Sequence, residues 1–508
     1  MTGYSRYQPY FGDIHNHCGL SYGHGSLEDA LANARQSLDF VSITGHAHWP
    51  DMPEPNEQNQ HIIDFHVEGF EKLKKLWPSM MQTLKETNEE GRFVVFPAFE
   101  IHFSATGDRN ILYKDFSGEI LYPNDLDDLN RQLRELRSRG IDTLAQPHHI
   151  GYRKGTRGID WDTFDPEFAP VVELISMHGC SETHDTPRPF LHVMGPLDWQ
   201  GTIQYGLARG LIFGVTGGTD HHSAHPGSYG HGKTGLWATD CTREAIWEAL
   251  YQRRTYALTG DRIILEFSIN DAPIGSVLPP TPDRRIEVNV AGGAAIDYVD
   301  IVKNNRLLKR FSQCDFVDAQ PQDTMRTKLY LELGWGLQHK TTQWDVEFGI
   351  RQGRIMHVEP RFRGRQVISP LDSDGHDSCY TARVLQVSNT AVTFSALSEG
   401  NPNTSTQNTQ GMCLDVELPV NGQVYATING RTWQWPVQDL LEGSRADSMQ
   451  GIVSPALRIH RAPRTDELFW QCRCEDHGDS DDYYYVRVRQ SNDQWAWSSP
   501  IFVRSVPS

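Results

Sequence analysis

Histidines that directly follow short apolar segments are the residues of this chain best suited to chemistry. The segment "YFGDIHNHCGLSYGHG" (10–25) contains His15, His17 and His24. Neutral imidazoles bind divalent metal ions, usually together with carboxylates from other segments. In an extended strand, residues i and i+2 share a face, so His15 and His17 can enter one cavity. A histidine-rich surface loop is the alternative interpretation, and the rest of the chain has to decide between the two.

Other apolar segments end in the same kind of side chain. Glu100 follows "VVFPAF", and a buried acid there is costly unless it binds a metal or pairs with a cation such as Arg109. In "QPHH" the two histidines are adjacent and should point to opposite faces, so we expect only His148 to enter a site. The candidate metal ligands are His15, His17, His24, His46, Glu100, His148, Asp220 and His222.

These donors are more than one ion needs, so the sequence predicts two or three divalent ions, with Mn, Zn or Fe as candidates. Centres with several ions activate water and stabilise charge on an attacked phosphorus or carbon atom. Asp220 is therefore a candidate catalytic carboxylate as well as a ligand. The chain contains no G-x-S-x-G elbow and no P-loop, which agrees with water as the nucleophile.

A small anionic substrate, in particular a phosphorylated one, needs cations near such a centre. "HHIGYRKGTRG" (148–158) carries Arg153, Lys154 and Arg157, and arginine binds phosphate or carboxylate through two hydrogen bonds. A solvated basic loop is the alternative for these three residues. Arg109 is a further catalytic candidate, and His178 is a candidate proton donor to the leaving group, or else a buried structural histidine.

Composition limits the class of protein. The chain has 508 residues and a formal charge of −18, which predicts two domains and argues against nucleic-acid binding. The eight cysteines are scattered and no apolar run reaches the length of a membrane span of about 18 residues. The first residues show no apolar secretory segment. We therefore expect a cytoplasmic protein without a membrane partner, and a homo-oligomer stays open.

The chain changes in character near residue 262. Of 22 histidines, 17 lie before that position. Residues 1–262 alternate helical patterns with short apolar runs, which are typical of buried parallel strands. A (β/α) barrel brings the carboxyl ends of all its strands to one mouth, so the many strand ends with candidate ligands favour a barrel over a doubly wound sheet. Residues 263–508 alternate apolar and polar residues, which predicts one or two β-sandwich modules.

Five motifs together resemble the polymerase and histidinol phosphatase (PHP) superfamily: "DIHNH", "ITGHAH", "FPAFE", "QPHH" and "GGTDHH". Over nearly its full length, including "YYYVRVRQSNDQWAWSSPIFV", the chain is similar to the DUF3604-like branch. The resemblance implies a distorted (β/α)7 TIM-like barrel with a two- or three-metal centre, and hydrolysis, commonly of phosphoesters. The chain departs from the family pattern at Gly45, where an aspartate is usual, and His102 or Asp108 stands where a histidine is expected.

Three functions follow as hypotheses. The first is a metal-dependent phosphoesterase. The second is an amidohydrolase-like enzyme that hydrolyses a C–O or C–N bond with the same activated water. The third is a non-catalytic ligand-binding protein. The retained donor set argues against the third, because buried histidines and acids without partners destabilise a fold.

Overall fold

The structure is a computed structural model that describes residues 3–316, 323–367, 370–372, 382–478 and 481–505. Its first part alternates strands with helices. The strands of this part are β1 (Gln8–Asp13), β2 (Phe40–His48), β3 (Val94–Ile101), β4 (Arg109–Tyr113), β5 (Thr143–Pro147), β6 (Val171–Ser176), β7 (Gly179–Cys180), β8 (Gly214–Gly217), β9 (Lys233–Ala238) and β10 (Thr255–Leu258). The helices are α1 (Leu27–Ser37), α2 (Gln60–Thr87), α3 (Leu126–Ser138), α4 (Ile203–Ala208) and α5 (Arg243–Tyr251).

Local sequence signals explain where these helices begin and what they bury. Ser26 caps α1, since its hydroxyl accepts a hydrogen bond from the Asp29 N–H at 3.0 Å. The leucine stripe of α3 is buried against the sheet, as its helical spacing predicts. The longest helix, α2, has 28 residues and continues through Pro78. Within the described ranges, no helix is long and apolar enough to cross a membrane.

The first part is a mixed sheet rather than a purely parallel one. Strands β1, β2 and β3 are parallel, whereas β4 runs antiparallel between β3 and β5, and β9 is antiparallel to β1. Strands β6 and β8 pair in parallel in a separate three-stranded sheet with β7. The fold is therefore α/β and strand-rich, but strand pairing in the described residues does not close the predicted (β/α)7 barrel.

The separate small sheet lies between β5 and β9. On one side, the Ala145 N–H donates to the Phe168 carbonyl at 2.7 Å, just ahead of β6. On the other side, the Thr234 hydroxyl of β9 donates to the Gly217 carbonyl of β8 at 2.6 Å. Isolated hydrogen bonds of this kind stand where a closed barrel requires a continuous ladder of backbone hydrogen bonds between neighbouring strands.

The rest of the chain is built almost entirely of strands. These are β11 (Ile264–Ile269), β12 (Ala272–Pro273), β13 (Val277–Leu278), β14 (Asp283–Ala291), β15 (Ile296–Lys303), β16 (Arg306–Ser312), β17 (Thr324–Trp335), β18 (Thr341–Ile350), β19 (Arg354–Arg361), β20 (Ala382–Val387), β21 (Ala391–Glu399), β22 (Gln410–Pro419), β23 (Gln423–Ile428), β24 (Arg431–Pro436), β25 (Arg445–Ser448), β26 (Pro455–Ile459), β27 (Phe469–His477), β28 (Asp482–Gln490), β29 (Trp495–Ser498) and β30 (Ile501–Val503). Two short helices accompany them, α6 (Val437–Glu442) and α7 (Thr465–Leu468).

These strands form two β-sandwiches. In the first sandwich, the sheet β12-β11-β14-β27 shares a core with strands β15, β16 and β28, which includes Val288, Val299 and Trp470. In the second, the sheets β19-β22-β17-β26-β25 and β20-β21-β18-β23-β24 enclose Trp344 and Phe394. The second sandwich is inserted in the chain between β16 and β27 of the first.

The first sandwich is continuous with the upstream sheet. Strand β10 pairs with β9 on one side and with β29 on the other, so the large sheet runs from the upstream part into the sandwich. The change of character near residue 262 therefore falls at the end of β10 and not at a break in the sheet. No disulfide joins the seven cysteines within the described ranges, and Cys379 lies outside the described residues.

Candidate metal centre

Residues at or just beyond the carboxyl ends of β1, β2, β3, β5 and β8 meet in one buried cluster. Seven of the eight sequence-predicted ligands are in it, and all seven are buried. These seven are His15, His17, His46, Glu100, His148, Asp220 and His222. Three further side chains belong to the same groups of potential ligands among the described residues: His102, Asp108 and His149.

The Glu100 carboxylate is at the middle of the cluster. Its Oε2 atom lies 3.5 Å from His15 Nε2, 3.4 Å from His17 Nε2 and 3.7 Å from His46 Nε2. Neither this oxygen nor His15 Nε2 has a hydrogen-bond partner among the described residues. Buried polar atoms are rarely left unpaired, because the loss of hydration is costly. A cation shared by these atoms removes that cost, so the donor set fits a divalent metal.

Asp220 joins the imidazoles of the first motif to a further histidine. Its Oδ1 atom lies 3.0 Å from His17 Nε2 and 3.2 Å from His15 Nε2. Its Oδ2 atom lies 2.9 Å from His178 Nε2. Asp220 has a φ of 52°, beyond the end of β8, so its direction is set by a left-handed turn and not by strand alternation.

The other side of the cluster is built around Asp108. His102 Nδ1 lies 3.1 Å from both Asp108 Oδ2 and Glu100 Oε1, and His149 Nε2 lies 3.2 Å from Asp108 Oδ2. Because β4 is antiparallel to its neighbours, the residue that precedes it lies at the edge where β3 and β5 end. Both alternatives left open by the sequence, His102 and Asp108, therefore reach the cluster.

Both histidines of "QPHH" enter the cluster, whereas strand alternation predicts only one. His148 Nε2 lies 3.2 Å from Glu100 Oε1. Strand β5 ends at Pro147, and His149 has a φ of 29°. Because the two residues lie beyond the strand, the alternation of side chains no longer applies to them.

Hydrogen bonds from the Nδ1 atoms of two histidines orient their imidazole rings. The Nδ1 atom of His15 donates to Glu173 Oε2 at 2.7 Å, which directs its Nε2 atom at the carboxylates of the cluster. The Nδ1 atom of His222 likewise donates to the Asp220 carbonyl at 2.8 Å. Glu173 is not among the residues predicted from the sequence, although an acid inside the apolar strand "VVELIS" resembles the pattern at Glu100.

Electrostatics keep the carboxylates charged and most imidazoles neutral. Burial raises the pKa of Glu100, but His148 and His46 bring it well below its usual range. Burial, together with His15, lowers the pKa of His148 to about 4. At His15 burial lowers the pKa, but the Asp220 and Glu173 carboxylates raise it well above its usual value. Ionised carboxylates among mostly neutral imidazoles are the donors that bind divalent cations.

His24, the eighth predicted ligand, is placed differently. It is buried, and its backbone N–H donates to the His222 carbonyl at 2.8 Å. Its ring is in none of the groups of potential ligands found in the described ranges.

Arg157 is the one member of the predicted basic loop that lines the cavity above the cluster. Its Nε atom donates to Asp108 Oδ2 at 2.6 Å, and its Nη2 atom lies 3.7 Å from Glu100 Oε1. Its guanidinium also lies over the Trp49 ring at 5.7 Å. The positive charge of Arg157 is thus held beside the carboxylates of the cluster.

The other predicted cations lie elsewhere. Arg153 is exposed, and Lys154 pairs with Asp160 at 2.8 Å. Arg109 is buried, but its guanidinium donates to the carbonyls of Gly107 and Asp108, at 2.6 and 3.1 Å. None of the three lines the cavity above the cluster.

His178 lies between two polar partners at the cavity wall. Its Nε2 atom is 2.9 Å from Asp220 Oδ2, and its Nδ1 atom is 2.6 Å from the Tyr152 hydroxyl. Both nitrogens therefore have a polar partner within hydrogen-bonding distance.

The cavity over the cluster has a volume of about 370 Å³. Apart from the ligand-type side chains, its wall is mainly apolar. The apolar wall consists of Tyr22, Trp49, Ile62, Phe65, Val193, Met194, Pro370 and Leu371. Pro370 and Leu371 belong to the β19–β20 segment, so the second sandwich contributes to the wall of this cavity.

A family model described as a protein of unknown function (DUF3604) matches residues 223–270. This segment begins directly after the "GGTDHH" motif and is shorter than the near full-length resemblance expected from the sequence. Uncharacterised proteins of Chlamydia pneumoniae and Chlamydia trachomatis serovar D are 32% and 30% identical over 262 and 280 residues. The matches cover 46% and 49% of this chain but only 41% and 43% of those proteins.

Among solved structures, a two-domain protein from Bacteroides vulgatus that contains a predicted PHP-like metal-dependent phosphoesterase is similar at 14% identity. The match covers 61% of this chain and 86% of that one, with a TM-score of 0.31. The chain thus spans about two-fifths of the length of its curated Chlamydia relatives, for which no activity is stated. It resembles the DUF3604 family of unknown function in one segment, residues 223–270.

Proposed function

We propose that this protein is a metal-dependent hydrolase and that its substrate is a small phosphoester. The observation that carries the proposal is the unpartnered, buried Oε2 atom of Glu100, which faces three imidazole nitrogens. Two or three divalent ions would be held by His15, His17, His46, Glu100, His148, Asp220 and His222. His102, Asp108 and His149 are additional donors at the second side of the cluster.

When bound, divalent ions polarise the phosphoryl group and activate water for attack. The chain's own residues supply the rest. Glu173 keeps the tautomer of His15 that directs Nε2 into the cluster. His178, which contacts Asp220 and the Tyr152 hydroxyl, would give a proton to the leaving group. Arg157 offers its guanidinium to a phosphate oxygen.

The cavity wall supports a substrate whose organic group is apolar. Trp49, Phe65 and Met194 present hydrophobic surface, and Arg157 is the single lysine or arginine among the described lining residues. Against the apolar part of this wall the hydroxyls of a sugar phosphate would lose hydrogen bonds to water, which costs binding energy. The partners outside the cluster would be a few of the described lining residues, among them His61, His66 and His192. An aryl phosphate would bury its ring there.

Turnover of a substrate panel tests the proposal. The protein is loaded with Mn, Zn or Fe and assayed with naphthyl phosphate, glucose 6-phosphate, a phosphodiester, a lactone and an amide. We expect hydrolysis of naphthyl phosphate and its loss in Asp220→Ala. Selective turnover of the lactone or the amide would favour hydrolysis of a C–O or C–N bond instead. A metal-loaded protein that turns over none of them would contradict both enzyme hypotheses.

A further inference from the structure

A second cavity lies away from the metal cluster, where the upstream part and both sandwiches meet. It has a volume of about 370 Å³. Tyr229 of the β8–β9 segment, Gly293 of the first sandwich and Tyr330 of the second all line it. An adjoining cavity of about 630 Å³ shares Arg363 and Arg458 with it. We call the two together the interdomain cleft.

The first cavity of the interdomain cleft is strongly cationic. Its described lining includes five lysine or arginine side chains and one carboxylate, that of Glu332. The five cations are Lys328, Arg361, Arg363, Arg458 and Arg461. The whole chain carries a formal charge of −18, so this concentration of positive charge is opposite to the overall balance. Clefts lined by charge of one sign attract ligands of the other sign.

Some of this charge is balanced from behind the wall. Lys328 pairs with Asp415 at 3.0 Å, and Arg461 pairs with Glu467 at 2.9 Å. Neither of these carboxylates lines the cavity. The carboxylate that does, Glu332, already accepts a hydrogen bond from His460 at 2.8 Å.

Two arginines form no ion pair among the described residues, although Arg363 helps to lower the pKa of the Glu332 carboxylate. Arg363 is buried and donates only to neutral groups, the Thr409 carbonyl at 2.9 Å and the Gln407 side chain at 2.8 Å. The exposed guanidinium of Arg458 makes no hydrogen bond or ion pair within the described ranges. Both arginines line both cavities of the interdomain cleft.

A third arginine has unused hydrogen-bonding capacity. Arg361 is 1% exposed, and its Nε atom has no hydrogen-bond partner in the part of the chain that the structure describes. Its Nη2 atom is occupied by the Gly293 carbonyl at 3.0 Å and by the carboxylates of Asp261 at 3.0 Å and Glu359 at 3.3 Å. Native proteins satisfy nearly all such buried donors with protein, water or ligand atoms.

The geometry points to a binding site for a small polar molecule that carries an oxyanion, either phosphate or carboxylate. Arg363 and Arg458 bind the oxyanion, since arginine provides paired N–H donors that match its oxygens. The side-chain amides of Gln407 and Gln494 line the same space, and their N–H groups donate to ligand hydroxyl groups. The volume lies in the range of small-molecule sites, about 300–1,000 Å³. This site shares no lining residue with the cavity over the metal cluster.

Calorimetric titration of the full-length protein tests this site, with inorganic phosphate and glucuronate as probes and glucose as the neutral control. We expect one of the two anions to bind saturably and glucose not to bind. Arg458→Gln should weaken that binding at least about tenfold, because a hydrogen bond to a charged group is lost. Arg354→Gln is the matched control. Arg354 is an exposed arginine of the same sheet that pairs with Glu417 outside the cleft, so binding should not change.

The same titration in Asp220→Ala separates this site from the metal centre. Unchanged anion binding in that variant supports the interdomain cleft, even if the proposed hydrolase activity fails. Preference for phosphate identifies phosphorylated ligands, and preference for glucuronate identifies sugar acids. The proposal is overturned if neither anion binds at about 10 mM. It is also overturned if Arg458→Gln binds as the wild type does, or if binding disappears in Asp220→Ala.

Discussion

Replacing Glu173 tests how the cluster is oriented. Glu173 is 1% exposed, and its Oε2 atom accepts the hydrogen bond of His15 Nδ1 at 2.7 Å. Among the described residues, its hydrogen bonds to the cluster are this one and one from the His149 backbone N–H at 3.3 Å, and it lies outside the groups of potential ligands. Any effect of its removal on metal binding must therefore act through the orientation and basicity of His15 or through the position of His149.

The expected effect follows from the type of bond. A hydrogen bond to a charged group contributes about 1.5–3 kcal/mol, and about 1.4 kcal/mol corresponds to a tenfold change in affinity. Outer carboxylate partners of metal-bound histidines contribute about 10- to 100-fold to affinity. We expect Glu173→Gln to weaken metal binding about tenfold, since the amide oxygen still accepts, and Glu173→Ala to weaken it about 100-fold.

Competition with a chromophoric chelator measures the metal affinity of each variant. Glu182→Gln is the matched control, because Glu182 is also a buried carboxylate but accepts hydrogen bonds from Tyr485 and Trp497, away from the cluster. The control should lose stability and keep metal affinity. If Glu173→Ala folds and binds metal as tightly as the wild type, the proposed orienting role of Glu173 is wrong.

Three further predictions concern the same centre. His178→Gln should keep its metal and lose at least about 100-fold in kcat, as expected for a general acid; loss of metal measured by mass spectrometry would make His178 a ligand instead. Phe65→Ala should lower kcat/KM for naphthyl phosphate about tenfold and leave that for glycerol phosphate unchanged, and an equal loss for both would argue against an apolar subsite. Chelation should lower the unfolding temperature in calorimetry, since ions at 100 times their dissociation constant contribute about 2.7 kcal/mol; an unchanged temperature would indicate that the protein binds no metal.

Much of the candidate site is predictable from local sequence because its residues follow apolar strands. His15, His17 and Glu100 are next to continuous apolar runs, and such runs are recognisable without any long-range information. The strand pattern does not predict Asp108, which only the family resemblance suggests, because Asp108 precedes its strand and the antiparallel direction of β4 brings it to the cluster. Glu173 is a single acid within a strand, and nothing local distinguishes its role from that of a buried ion pair.

The fold is predictable to a similar degree. Apolar periodicity indicates the strands and several helices of the first part and the β character of the rest. Strand direction and neighbour order depend on contacts between distant segments, so local patterns do not predict the reversed β4 and β9 or the separate β6–β8 sheet. The insertion of the second sandwich into the first is equally invisible to local patterns, because both consist of similar alternating strands.

The most direct test of the metal centre is the metal content of the full-length protein and of Glu100→Gln after loading and gel filtration. Glu100 approaches every side of the cluster, from His15 and His46 to His102. We predict about two to three equivalents of divalent metal in the wild type and a loss of at least about one equivalent in a folded Glu100→Gln variant. Less than about one equivalent in the wild type, or equal metal in both proteins, would contradict the proposed centre.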